Sequence, residues 1–271
     1  MDSNKITSSH NPKIKELFQL RERSQRDKSG LTLIEGLREV ACALRAEVPL
    51  KEVYACKELL GHYEVDDLFQ KLRALKIKVV EISESVYAKL AYGDRKDGIL
   101  AVGKPAVVSL KDFLAPEKSI LLVVEGVEKP GNLGAIFRVA DAAGIDGIII
   151  CDEKTDLYNP NVIRASVGTV FALKAVVSSN ARVFNFLKTN GIKIYVSTPF
   201  TETIYSEVSF KDSLAIVVGS EDKGVSEFWM NRAYTHLKIP MQGQADSLNV
   251  AASTAVLLYE VVRQRGLPSR G

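Results

Sequence analysis

Apolar residues recur along this chain in two rhythms. In "PKIKELFQLRER", Ile14, Leu17, Phe18 and Leu20 fall three or four apart and predict a helix. "LTLIEG" then predicts a short strand, "LREVACALRA" a helix and "LKEVYAC" a strand. "VDDLFQKLRALK" is an amphipathic helical pattern and "IKVVEI" a strand. "SESVYAKLA" predicts a helix opened by a serine cap, and "GILAVGK" a closing strand. Together these make a small α/β domain over residues 1–105. "PAVVSLKDFLAPEKS" carries two prolines and breaks the alternation, so 106–117 reads as a linker.

A second domain, 118–271, alternates more cleanly. Strand-like runs are "ILLVVEGV", "GIIIC", "VFALKAVV", "KIYVST", "LAIVVG" and "HLKIP". Helical patterns fall between most of them, in "NLGAIFRVADAA", "ARVFNFLKTN" and "VSEFWMNRA". A long helix is predicted in "SLNVAASTAVLLYEVVRQR". Near-continuous apolar strands between helices predict a mostly parallel sheet covered on both faces. Ligands of such sheets sit beyond the carboxyl ends of the strands. The segments there, "EKPGNLGAIFR", "TPF", "SEDKG" and "MQGQADSLN", are rich in small residues that let backbone groups approach a ligand.

Composition narrows the chemistry. The chain has 271 residues, 46% hydrophobic and 25% charged, a profile of globular proteins. No apolar run approaches the roughly 20 residues of a membrane helix, and the first residues lack an apolar leader core. No membrane association and a cytoplasmic location are therefore expected. Cys42, Cys56 and Cys151 are scattered, as are His10, His62 and His236. Reduced thiols and no metal site are expected. The net charge of +3 matches the excess within residues 1–30, where seven bases meet four acids. The signs interleave, which on charge alone suits an ordinary solvated helix. Walker and GxGxxG patterns are both missing, which disfavours a triphosphate site and a nucleotide-dependent oxidoreductase.

"NLGAIFRVADAAG", "IVVGSEDKGVS" and "IPMQGQADSLNVAASTAVLLYE" resemble, in order, the three motifs of the SpoU (TrmH) RNA ribose 2′-O-methyltransferases of the SPOUT superfamily. "NPKIKELFQLRERSQRDKSGLTLIEGLREV" and "DGILAV" resemble that family's substrate-binding domain more weakly. The resemblance implies an α/β fold with a C-terminal trefoil-knotted methyltransferase domain and a small N-terminal RNA-binding domain. It implies S-adenosylmethionine as cofactor, a homodimer with its active site near the subunit interface, and RNA as substrate, rRNA in preference to tRNA. A catalytically silent RNA-binding protein of the same fold is the alternative from another class; retention of the motif residues argues against it.

Residue by residue, the resemblance implies that Arg138 is catalytic. Arginine stays protonated, so a fixed cation that holds phosphate and stabilises a developing alkoxide is physically easier than a general base. Asn132 is expected to cap its helix and orient Arg138 or the ribose, and Glu221 to hold Arg138 or Asn132. Ser247 and Asn249 are expected to position ribose or cofactor, with Ser247 a plausible cap of the last helix. Thr198, Pro199, Gly219, Gly224, Ile239, Met241 and Leu248 are the expected cofactor residues. Arg21, Arg23, Arg26 and Arg164 are the expected RNA contacts, with Ser166 beside Arg164. "RKDG" at 95–98 departs from the commoner neutral turn. Trp229 and Tyr259 are expected to pack rather than stack on bases.

Overall fold

A computed structural model of the protein describes residues 5–60, 65–92, 96–113 and 116–266. In chain order the first elements are α1 (Pro12–Gln19), α2 (Arg23–Ser29), β1 (Thr32–Glu35), α3 (Leu37–Arg45) and β2 (Leu50–Ala55). They continue with α4 (Val65–Ala74), β3 (Lys78–Glu81), α5 (Glu84–Leu90) and β4 (Ile99–Gly103). Next come β5 (Ile120–Glu125), α6 (Pro130–Ala143), β6 (Gly147–Cys151), α7 (Pro160–Ala165) and β7 (Ala175–Val177). The last are α8 (Asn180–Thr189), β8 (Lys193–Ser197), β9 (Leu214–Val218), α9 (Glu227–Met230), β10 (Thr235–Leu237) and α10 (Val250–Arg265).

The first compact unit comprises residues up to Ala106 together with Asp156–Ala172. Its sheet has the order β1-β4-β2-β3, antiparallel except for the β2–β3 pair. Ile14, Leu17, Tyr54, Ile82, Tyr87 and Leu90 fill the core beneath α1 and α5. Asn11 accepts from Lys13 N at 2.9 Å and starts α1 ahead of Pro12. Ser83 caps α5 as expected, accepting from Val86 N at 3.4 Å. The single N-terminal helix expected through Arg23 is two helices. Arg26 on α2 donates to Leu20 O at 2.9 Å and Arg21 O at 2.5 Å, taking up carbonyls freed where α1 stops.

Asp156–Ala172, expected in the second domain, belongs to this first unit. α7 packs on β1, and Thr32 Oγ1 donates to Tyr158 O at 2.9 Å. The strand expected over "VFALKAVV" is correspondingly shorter: Thr169–Phe171 form a 3₁₀ turn and only Ala175–Val177 pair as β7.

The second unit comprises Val107–Thr155 and Leu173–Gly271. Its sheet has the order β10-β8-β9-β5-β6-β7, with every pairing parallel. β5, β6 and β9 are buried throughout, as strands covered on both faces must be. Leu121, Val123, Val196 and Val217 join Val183 and Leu187 of α8 and Trp229 of α9 in one core layer. The alternate residues point to the other face. There α10 packs along α6 and reaches β9, while α6 reaches β6.

Candidate active site

Three adjacent strands, β10, β8 and β9, deliver their carboxyl ends to one edge of the second unit. Beyond them Thr198, Pro199, Gly219, Gly224, Ile239, Met241 and Leu248 line a single cavity of about 560 Å³. All seven expected cofactor residues thus share one site, sized like a small-molecule pocket. Its shape follows from the backbone. Thr198 N donates to Leu237 O at 2.9 Å, carrying the β8–β10 ladder one step past the strands. The turn after β9 folds back on itself, with Gly224 N donating to Ser220 O at 2.9 Å. Gly224 has φ +64°, and a Cβ on Gly219 would lie 2.0 Å from Gly224 O. Only glycine at 219 permits that closure.

A chain of side chains edges this cavity. Asn132 Nδ2 donates to Glu221 Oε1, and Asn249 Nδ2 donates to Asn132 Oδ1 at 3.1 Å. Glu221, Ser247 and Asn249 also line the cavity. The capping roles differ from expectation. Lys129 occupies the N-cap of α6 and Pro130 its first turn, which leaves the Asn132 amide free for these cross-links. Asn249, not Ser247, caps α10, accepting from Ala251 N at 3.0 Å. Ser247 is exposed, with Oγ 3.5 Å from Asp246 Oδ1.

Arg138 stands apart from this group. Its neighbours Ile136, Phe137 and Ala140 are buried, yet the residue is exposed. Six residues at about 100° each put it about 120° around α6 from Asn132. Among the described residues it has no hydrogen-bond, ion-pair or ring partner. Glu221 therefore holds Asn132 and not Arg138.

Sequence reasoning missed Glu125, at the end of β5 and 5% exposed. Its Oε1 accepts from Asn180 Nδ2 at 2.6 Å and Ser226 Oγ at 2.7 Å, and its Oε2 from Ser226 N at 2.8 Å. Asn180 Oδ1 accepts from Trp229 Nε1 at 3.0 Å. One carboxylate thus ties the starts of α8 and α9 to the central strand and fixes the chain just after the 220–224 turn. The legible signal was an acid closing the apolar run "ILLVVE": an acid buried there needs partners. Burial, with Glu125 and Asp152 nearby, pushes the neighbouring Cys151 thiol up to about 12 and keeps it protonated. All three cysteines are free and buried, as expected.

The expected RNA contacts divide. Arg26 is a correction: its side chain is 5% exposed and pairs with Asp156 at 2.5 Å, so it holds the first unit together. Arg21 is partly buried; Nη2 donates to Leu90 O at 3.3 Å and to Ala91 O, and its guanidinium lies over Phe18 and Tyr92. Arg23 is exposed, 3.5 Å from Asp27, and Arg164 is exposed with Nη1 donating to Tyr92 O at 3.1 Å. Ser166 is fully buried and spends its hydroxyl on Ile163 O. In "RKDG", Arg95 lies outside the described residues. Trp229 packs in the core as expected, whereas Tyr259 is half exposed.

A parallel α/β sheet whose strand-end loops enclose a cavity edged by polar side chains defines an enzyme domain built around a small cofactor. The chain belongs to the SpoU rRNA methylase family, whose model matches residues 119–259. The MRM3-like substrate binding domain matches residues 11–101. The chain is 29% identical over 256 residues to the 23S rRNA (guanosine(2553)-2′-O)-methyltransferase RlmP of Bacillus subtilis, covering 94% of this chain and 98% of that protein. A crystal structure of an RNA 2′-O ribose methyltransferase superposes with a TM-score of 0.86 at 40% identity, over 97% of this chain and 100% of that one. An AdoMet-bound rRNA methyltransferase from Sinorhizobium meliloti superposes with a TM-score of 0.88 at 27% identity, over 98% and 99%.

Proposed function

We propose that this protein uses S-adenosylmethionine to methylate a ribose 2′-hydroxyl in RNA, with large-subunit rRNA as the substrate. The observation that carries the reading is the Glu221–Asn132–Asn249 chain on the edge of the loop cavity. The cavity suits the cofactor on its own terms. Gly219 and Gly224 bring backbone groups close, while Ile239, Met241 and Leu248 offer apolar surface for a purine and for the methylenes of a methionine chain. When bound, S-adenosylmethionine supplies an electrophilic methyl group on a sulfonium.

The remaining work falls to the chain's own residues. Glu221 fixes the Asn132 amide, and Asn132 in turn holds Asn249, so the ribose meets a pre-set surface rather than mobile side chains. Ser247 offers a hydroxyl on the same cavity. Arg138, exposed and unpartnered among the described residues, is free to grip an RNA phosphate and steady negative charge on the 2′-oxygen. Arg23 and Arg164 are the exposed candidates for phosphate contacts on the substrate-binding unit.

The protein acts as a homodimer in this reading. Support comes from a partly exposed apolar face on α10, formed by Ala252, Val256 and Tyr259, with Val139 and Ala142 on α6. Such a face suits self-pairing, and Arg138 lies on the same helix. The segment of the last helix, α10, is the stretch we expect to thread through a loop to form the trefoil knot. Mapping 2′-O-methylated nucleotides in rRNA from cells with and without the protein tests the reading. One nucleotide should lose its methyl group; unchanged rRNA alongside an altered tRNA position would reassign the substrate.

A further inference from the structure

Phe200 is the most exposed aromatic residue among those described, at 87%. The other exposed rings have something to do. Phe18 lies under the Arg21 guanidinium, 4.9 Å from its centroid. Tyr234 packs against Tyr195 at 5.7 Å, beneath the Lys193 ammonium. Tyr259 lies on the apolar face of α10. Phe200 has no ring or cation partner among the described residues, yet it lines the same cavity as Glu221, Ser247 and Asn249.

Its backbone is firmly held. Phe200 N donates to Thr198 Oγ1 at 3.2 Å, and Thr198 N to Leu237 O at 2.9 Å. Further on, Lys238 N donates to Thr203 O at 2.9 Å and Tyr205 N to Lys238 O at 3.1 Å, so the loop is pinned on both sides of the ring. On this fixed stem the ring borders the cavity yet is left almost bare. It offers a flat π surface to whatever arrives at the mouth.

We propose that Phe200 is the stacking platform for the base of the target nucleotide. The proposal rests on the RNA-methylating reading of this site. A ribose that enters must bring its base out of the neighbouring stack, and an unstacked base seeks an aromatic face. Stacking tolerates any base, so Phe200 holds the nucleotide while other contacts choose it.

The test compares wild type, Phe200→Ala and Phe200→Trp. S-adenosylmethionine affinity and oligomeric mass are measured for each, together with KM for unmodified 23S rRNA transcript. Fluorescence anisotropy with a mixed-sequence heptamer oligoribonucleotide adds a readout that needs no turnover. Phe200→Ala should weaken both RNA readouts about 5- to 150-fold, the range of losing one stacked base. Cofactor affinity and mass should not change, and Phe200→Trp should restore RNA binding. Unchanged RNA readouts overturn the proposal. A parallel loss of cofactor affinity also overturns it, by assigning the ring to the cofactor slot, and a change in mass does so by assigning it to a subunit contact. If the wild type transfers no methyl group, the reading of the site fails by itself, and heptamer binding still decides whether Phe200 is a platform.

Discussion

The Asn249 amide donates to Asn132 Oδ1 across 117 residues of chain, and Asn132 passes its own amide on to Glu221. Three segments far apart in sequence are thereby set by one asparagine. Removing Asn132 should free both neighbours at once. In a double-mutant cycle, Asn132→Ala and Asn249→Ala should couple by about 0.5–3 kcal/mol in the single-turnover methyl-transfer barrier. Independent effects would mean that the two amides act separately.

Gly219 and Gly224 should respond very differently to the same substitution. A Cβ at 219 meets a backbone carbonyl at 2.0 Å, which cannot move without opening the turn. A Cβ at 224 meets nothing within 4 Å and faces only the strain of φ +64°. Gly219→Ala should weaken cofactor affinity by about 10- to 100-fold, in line with the cost of forced repacking. Gly224→Ala should lose only a few-fold. Calorimetric titration with S-adenosylmethionine reads both.

Glu125 is a positioning residue. Glu125→Ala removes the buried carboxylate that Ser226 and Asn180 share as acceptor, at about 1.5–3 kcal/mol of stability by urea unfolding. Because Ser226 follows the 220–224 turn, cofactor affinity should fall more than RNA affinity. Glu125→Gln keeps the shape and one carbonyl oxygen and should recover most of the cofactor affinity. Equal losses in both affinities would reduce Glu125 to a general support of the fold.

Arg26 and Arg23 lie three residues apart with different work to do. Arg26→Ala strands Asp156, whose side chain is 12% exposed, and should destabilise the protein by about 3–5 kcal/mol. Arg23→Ala should cost under about 0.5 kcal/mol, as exposed substitutions do. It should instead weaken RNA binding and lower the salt slope by about 1. Urea unfolding and salt-dependent RNA titration separate the two.

What was legible in sequence follows from how local each cause is. β5, β6 and β9 show as apolar runs because both faces are buried, and the strand-end loops show because close approach demands small residues. α2 and α7 were missed: each has seven residues or fewer and is set by tertiary contacts, Arg26 with Asp156 for α2 and packing on β1 for α7. The pairing of Asp156 with Arg26 spans 130 residues, and nothing local marks that segment as part of the first unit. The exposure of Arg138 was not legible for a related reason. Small residues line both sides of α6, so composition alone did not show which side faces out. Glu125 was legible as an anomaly, but its partners were not.

The most direct test of the central claim is transfer of labelled methyl from S-adenosylmethionine to unmodified 23S rRNA by wild type and Arg138→Ala. Wild type should label one ribose 2′-oxygen. Arg138→Ala should lose transfer by about 100-fold or more, as loss of a charge-stabilising donor does, with cofactor affinity unchanged because Arg138 does not line the cavity. Wild-type protein that binds the cofactor and rRNA yet labels no 2′-oxygen, or an Arg138→Ala variant that transfers normally, would contradict the account.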